Sequence, residues 1–225
     1  LELSGNVTTS ANGFAAGGLV GAATNPTIKL NDTVTRTGTI KGMSESGGFI
    51  GKAVYNYNRT DNTELELDLS NINVSGITIS NGNHAGGYFG VLNFDSTAGG
   101  TITIKNVPET NLTHTGTSKT SWQFGGVIGQ YSANSLNSTL KLESPNVTIT
   151  SNGAVTALGG IIGSVAGNGA DHALTNATSA YVEISGAADA PVTANLTTDS
   201  TIDCFGGLVG ELGQIDGQGH FLSVS

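Results

Sequence analysis

The pattern Gly-Gly-apolar-apolar-Gly occurs six times in this 225-residue chain. The copies are Gly17-Gly18-Leu19-Val20-Gly21, Gly47-Gly48-Phe49-Ile50-Gly51, Gly86-Gly87-Tyr88-Phe89-Gly90, Gly125-Gly126-Val127-Ile128-Gly129, Gly159-Gly160-Ile161-Ile162-Gly163 and Gly206-Gly207-Leu208-Val209-Gly210. Successive copies begin 30, 39, 39, 34 and 47 residues apart. Recurrence on that scale points to stacked units, a solenoid or a propeller, in which each unit buries its apolar side against the next.

A second feature recurs between the copies. Short alternating runs stand at residues 27–30 (Thr-Ile-Lys-Leu), 64–69 (Glu-Leu-Glu-Leu-Asp-Leu), 101–104 (Thr-Ile-Thr-Ile), 139–142 (Thr-Leu-Lys-Leu), 181–184 (Tyr-Val-Glu-Ile) and 221–224 (Phe-Leu-Ser-Val). Period-two alternation describes a strand with one face buried and the other in water. A looser third strand follows in most units, as at 77–80 and 147–150. Three short strands per unit predict an all-β chain, a parallel β-helix of about six coils with three strands per coil. The rival is a propeller, which needs four antiparallel strands per blade and is favoured by the Asn-Gly and Asp-Gly pairs.

In such a coil the motif strand turns a corner close to its copies above and below. Glycine there supplies unusual φ values and lets backbones approach without a Cβ between them. The column Leu19, Phe49, Tyr88, Val127, Ile161 and Leu208, followed by Ala23, Ala53, Leu92, Tyr131, Val165 and Leu212, is the more uniformly apolar phase and is expected to face the core. The other phase carries Val20, Ile50, Phe89, Ile128, Ile162 and Val209. It is either covered by the longer connecting segments or forms an apolar stripe for a partner. Aligned alternating strands place Lys29, Glu66, Thr103, Lys141, Glu183 and Ser223 at one outward position, with no like charges adjacent.

At the six motifs the chain resembles the GLUG-type repeat of large bacterial surface proteins, whose glycine–leucine–apolar–glycine core is matched by Gly18–Gly21 and Gly207–Gly210. The other four copies keep the glycines and carry Phe, Tyr, Val or Ile in place of leucine. The resemblance implies a single repeat domain over residues 1–225, a segment of a longer repetitive, adhesin-like, extracellular protein. It brings no catalytic residue, since none belongs to the motif.

The residues themselves suggest little chemistry. Net charge is −9, from 8 basic and 17 acidic residues, which argues against nucleic acid as a partner. No run is apolar and long enough to insert in a membrane. The single cysteine, Cys204, cannot form an internal disulfide and reads as a small buried residue. Asp61, Glu64, Glu66 and Asp68 form the densest acidic stretch, the last three along one exposed strand face. The histidines, His84, His114, His172 and His220, lack metal-ligand spacing and read as turn or surface residues. Arg36 and Arg59 fall in distant turns, so no acidic polysaccharide is clamped. No catalytic residue, metal or cofactor is expected.

The reading is therefore a non-catalytic structural or adhesive module, partnered by neighbouring repeats and by a host or cell-surface glycan or protein. The alternative is a carbohydrate-binding or carbohydrate-processing β-helix, for which Tyr55, Tyr57 and Trp122 are the candidate ligand contacts. Ice binding is a third reading, on Thr-x-Thr pairs such as Thr148 and Thr150, but unequal unit lengths are expected to spoil the lattice it needs.

Overall fold

The structure is a computed structural model and describes residues 1–9, 14–28, 30–57, 63–80, 83–96, 99–116, 121–133, 138–167, 181–212 and 221–225. Among these there is no helix, and strands pair in parallel throughout. This is the all-β, parallel-stacked arrangement of a β-helix or solenoid, and it removes the propeller, whose blades are antiparallel.

Each motif supplies two strands, one on either side of its corner. Those before the corner form an entering stack: Ala15–Gly17, Glu45–Gly47, His84–Gly86, Ser121–Gly125, Val155–Gly159 and Ile202–Gly206. Those after it form a leaving stack: Val20–Thr24, Ile50–Tyr57, Phe89–Ser96, Ile128–Ala133, Ile162–Gly167 and Val209–Leu212. The register keeps equivalent motif positions together, with Gly86 beside Gly47 and Gly125, and Phe89 beside Ile50 and Ile128.

The alternating runs form a stack of five: Thr63–Asp68, Gly100–Lys105, Ser138–Glu143, Tyr181–Ser185 and Phe221–Val224. The expected sixth run, residues 27–30, is not a strand where it is described, and Lys29 lies outside the described residues. A return stack holds Val7–Thr8, Thr39–Lys41, Ile77–Ile79, Thr110–His114, Asn146–Ser151 and Thr193–Thr198. Glu2–Leu3, Val34–Arg36 and Ile72–Asn73 make a smaller sheet at one end. Arg36, expected in a turn, is a buried member of it and donates from Nη2 to Gly5 O at 2.8 Å and from Nη1 to Leu3 O at 3.2 Å.

The core takes one column from each stack. Leu140 and Leu142 of the alternating stack, Ile149 of the return stack, Phe124 and Leu158 of the entering stack and Tyr131 of the leaving stack are all fully buried in one cluster. Both large residues of the four middle motifs belong to it, and Leu19, Val20, Leu208 and Val209 of the first and last motifs pack against it half-buried. Tyr88 and Phe89 are 0% and 1% exposed, and Val127 and Ile128 are both 0%. The second apolar column is therefore no stripe for a partner. The corner carries both residues inward, and the inward phase resumes only after the third glycine, at Leu92 and Tyr131.

Each of the three glycines has its own reason. A Cβ on Gly125 would lie 2.0 Å from the carbonyl oxygen of Ile128, within the same corner. On Gly126 it would lie 2.3 Å from the oxygen of Gly160 in the next unit, and on Gly129 2.5 Å from that of Gly90 in the preceding one. Backbones this close leave no room for any side chain. The last motif supplies the control: a Cβ on Gly207, beside which the described residues place no further unit, would meet nothing within 4 Å. None of the motif glycines has a positive φ, so close approach, and not an unusual φ, explains them.

Candidate functional site

Three surfaces or seams hold the polar chemistry. The outer face of the alternating stack is the first. Its register runs Glu66, Thr103, Lys141, Glu183, Ser223, as the alignment requires. Lys141 Nζ lies 3.1 Å from Glu183 Oε2. Glu66, whose neighbour in that column is the neutral Thr103, pairs diagonally with Lys105 at 2.6 Å. Glu64, Glu66 and Asp68 all stand exposed on this face, and Asp61 lies outside the described residues. Hydrogen bonds from Ser70 and Asn106 hold the Asp68 carboxyl below the usual carboxylate range.

The outer face of the return stack is the second, and it is neutral from Ile77–Ile79 onward, while the preceding strand exposes Lys41 on it. Thr39, Thr78, Thr113, Thr150 and Thr197 stand side by side in consecutive strands. Asn111, Thr148 and Asn195 form a parallel column two residues earlier. Unequal unit lengths do not disturb this register. The longest interval, 47 residues, puts its extra length between Gly167 and Tyr181 and between Ser185 and Thr193, outside the strands.

The third is a seam where the entering and leaving stacks lie face to face. The entering strands present Glu45, His84, Gln123, Ala157 and Cys204 in one column. The leaving strands present Lys52, Val91, Gln130, Ser164 and Glu211. Glu45, His84, Gln123, Gln130 and Ser164 are all buried. Lys52 Nζ is 3.8 Å from Glu45 Oε1, and His84 Nδ1–H donates to Gln123 Oε1. Burial lowers the His84 pKa to about 4, with Lys52 pushing the same way and the Gln123 bond opposing. Burial pushes Glu45 and Glu211 up, opposed by Lys52 and by a Gln123 hydrogen bond respectively.

His114 is also interior. It is fully buried beside Phe124, with ring centroids 4.7 Å apart. Ser151 Oγ donates to Gly153 O, so His114 Nδ1–H donates to Ser151 Oγ at 3.1 Å. Its Nε2 has no partner among the described residues, and burial lowers its pKa to about 4. His84 and His114 are thus not the turn or surface residues expected, while His172 and His220 lie outside the described residues. Cys204 is half-buried at the end of the seam column and is not in the apolar core.

The three candidate aromatic contacts do not form a described platform. Tyr55 is 1% exposed and packs in the core. Tyr57 and Trp122 belong to strands, but their side chains lie outside the described residues. Among the described residues no three His, Cys, Asp or Glu side chains stand together as a metal site, and no helix is long and apolar enough to cross a membrane. Sequence reading missed the seam because its columns mix charged, polar and small residues just as a solvent-facing column does. The signal available was position: every seam residue directly flanks the motif, two before its first glycine or one after its last.

No family model matches the chain, and no curated protein or solved structure matches it.

Proposed function

We propose that the chain is a non-catalytic structural or adhesive module, a rigid GLUG-type repeat segment of an extracellular bacterial surface protein. In this reading the stacks close into a β-helix of about six coils. Each coil has three sides, one of them folded at the motif corner into two arms. Neighbouring repeats of the same protein continue the stack, and no cofactor or nucleic acid takes part.

The observation that carries the reading is the neutral Thr/Asn face of the return stack. Its Thr column stays in register over five strands and its Asn/Thr column over three, in an otherwise acidic chain, with Lys41 the charge at one end. Adjacent hydroxyls repeat at about 4.8 Å along the parallel stack. Such a face suits a neutral, hydroxyl-rich partner, a host or cell-surface glycan, because from Ile77–Ile79 onward it offers many donors and acceptors and no charge to desolvate. The carbohydrate-binding alternative joins this reading at that face, without the catalytic step.

A glycan array probed with the parent chain and with Thr113→Lys/Thr150→Lys tests it. Both positions project outward, so the variant should fold and melt like the parent while losing neutral-glycan binding at least tenfold. Parent binding to no glycan, or variant binding equal to the parent's, overturns the adhesive reading.

A further inference from the structure

We propose that the last unit of the stack is a docking surface for the first unit of a second copy of this chain, so that copies join head to tail. This inference concerns the two end units, not the Thr face, and does not depend on the adhesive reading.

Neighbouring units are clamped at the motif corner by one repeated arrangement. The N–H groups of Leu19 and Val20 both donate to Phe49 O, at 3.0 and 3.1 Å, and those of Phe49 and Ile50 both donate to Tyr88 O. The same pair of bonds recurs along the stack as far as Ile161 and Ile162, which donate to Leu208 O at 2.9 and 3.0 Å. The polarity is constant: each corner donates toward the following unit and accepts from the preceding one. The N–H groups of Leu208 and Val209 therefore face away from the stack and have no partner among the described residues, and at the other end Leu19 O accepts from none of them. Unpaired strand edges of this kind are templates for pairing with another chain.

The glycines are open at the same two places. A Cβ on the second glycine of each of the first five motifs would lie 2.0–2.3 Å from the oxygen of its counterpart in the following unit. A Cβ on the third glycine of each of the last five would lie 2.5–2.7 Å from the oxygen of its counterpart in the preceding unit. Gly207 meets no such obstacle, and the nearest to Gly21 is Ala15 O of its own unit, at 3.3 Å. Within one copy neither position needs glycine, which costs conformational entropy. With a second copy's first unit seated on the last unit both do: Gly207 then faces the second copy's Gly18 O, and the second copy's Gly21 faces Gly210 O. The two motifs that meet, residues 17–21 and 206–210, have the same sequence.

Exposed apolar surface is concentrated at the same ends. Of the nine large apolar side chains exposed among the described residues, three belong to the first unit and four to the last. Phe205 and Val224 are 55% and 56% exposed, although Leu158 and Ile184, their neighbours in the preceding unit, are fully buried. A following unit covers these side chains as each unit covers the one before it. The occupant must bring a motif corner with a free carbonyl and an unobstructed third glycine, and the first unit of this same chain brings both. Such a contact joins two different faces, so it repeats from copy to copy into linear species and does not stop at a dimer.

Sedimentation velocity of the 225-residue chain over a range of concentrations tests the proposal, with Gly207→Ala and Gly21→Ala beside the parent. The parent should grow with concentration through dimers to longer species. Each variant, when dilute, should melt as the parent does, and its association should weaken by about tenfold or more. Gly207→Ala blocks only the last unit and Gly21→Ala only the first, so their equal mixture should give a one-to-one dimer and nothing longer. Should Gly21→Ala melt lower than the parent, the parent takes its place in the mixture, and Gly207→Ala then caps its chains at one end and shortens them. The proposal is overturned if the parent stays monomeric up to about 1 mM, if Gly207→Ala associates as the parent does, or if the mixture of the two folded variants forms no dimer.

Discussion

Lys141 and Glu183 sit side by side on adjacent parallel strands, with Nζ 3.1 Å from Oε2, although they are far apart in sequence and their units differ in length. The pair is a reporter of register. Both side chains are about two-fifths exposed, so their attraction is screened and contributes little. A double-mutant cycle with Lys141→Met and Glu183→Gln should give a coupling of about 0.2–1 kcal/mol that fades in high salt. A coupling above roughly 2 kcal/mol, or one insensitive to salt, is incompatible with an exposed pair of this kind.

The glycine contacts predict a position-dependent cost for one and the same substitution. Gly126→Ala drives a methyl to within 2.3 Å of the Gly160 oxygen and 2.5 Å of Val147 Cγ1, so neighbouring units must separate. Gly207→Ala meets nothing. The first should destabilise by several kcal/mol, about 3 or more, and the second by less than about 0.5 kcal/mol. Gly206→Ala should behave like Gly126→Ala, because its obstacle, the Val209 oxygen at 1.7 Å, lies within its own corner. Urea titrations of the three variants decide it, and equal midpoints for Gly126→Ala and Gly207→Ala would refute the close-approach account.

Two buried tyrosines should respond oppositely to loss of the hydroxyl. Tyr88 Oη bonds to Thr110 Oγ1 at 2.9 Å and donates weakly to Ile72 O at 3.4 Å. Tyr131 is fully buried, and its hydroxyl has no partner among the described residues. Tyr88→Phe should cost about 1 kcal/mol, while Tyr131→Phe should be neutral or stabilising by up to about 1 kcal/mol, since it removes an unpaid-for desolvation. Thermal melts read both signs; a Tyr131→Phe that melts lower than Tyr88→Phe contradicts the assignment.

Much of this architecture was legible because parallel stacking converts sequence recurrence directly into space. The alternating runs from Glu64 onward became strands, since one side meets a continuous apolar column and the other meets water. Residues 27, 28 and 30 carry the same alternation but form no strand, although Phe221–Val224, equally short and with a neighbour on one side only, does, so alternation alone does not decide pairing at the end of a stack. The Thr column shows the opposite error. Unequal unit lengths were expected to break a lattice, yet they change only the connections, because strand register is set by the buried face. The seam was hidden for a different reason. A strand is read as having one inside and one outside, but here two stacks joined at a glycine corner enclose a second interior. Residues such as His84 and Gln130 are outside the apolar core and inside the protein.

That second interior, with the buried His114, makes stability depend on pH. Burial holds His84 and His114 at about 4, well below the ordinary 6.5 they regain on unfolding. Between those values the unfolded chain binds more protons than the folded one, so stability falls as pH drops. The contribution is fully present above about 6.5 and is lost by about 4, with an upper bound of roughly 3 kcal/mol per histidine. Glu45 and Glu211, both raised by burial, act the other way: they take up protons in the folded state before the unfolded one and soften the loss near the acid end. Lys52, the other charge facing His84 across the seam, stays with the loss, since it opposes a second positive charge. Urea denaturation from pH 7.5 to 5 should therefore show falling stability, with the loss at the two histidines exceeding the opposing proton uptake by Glu45 and Glu211. His114→Asn is the sharper probe, because a protonated His114 places an N–H at Nε2 where no acceptor stands among the described residues. That variant should flatten the slope by about half. A parent whose stability is constant or rises as pH falls over this interval, or a His114→Asn slope equal to the parent's, means that the two imidazoles are not held neutral by the fold.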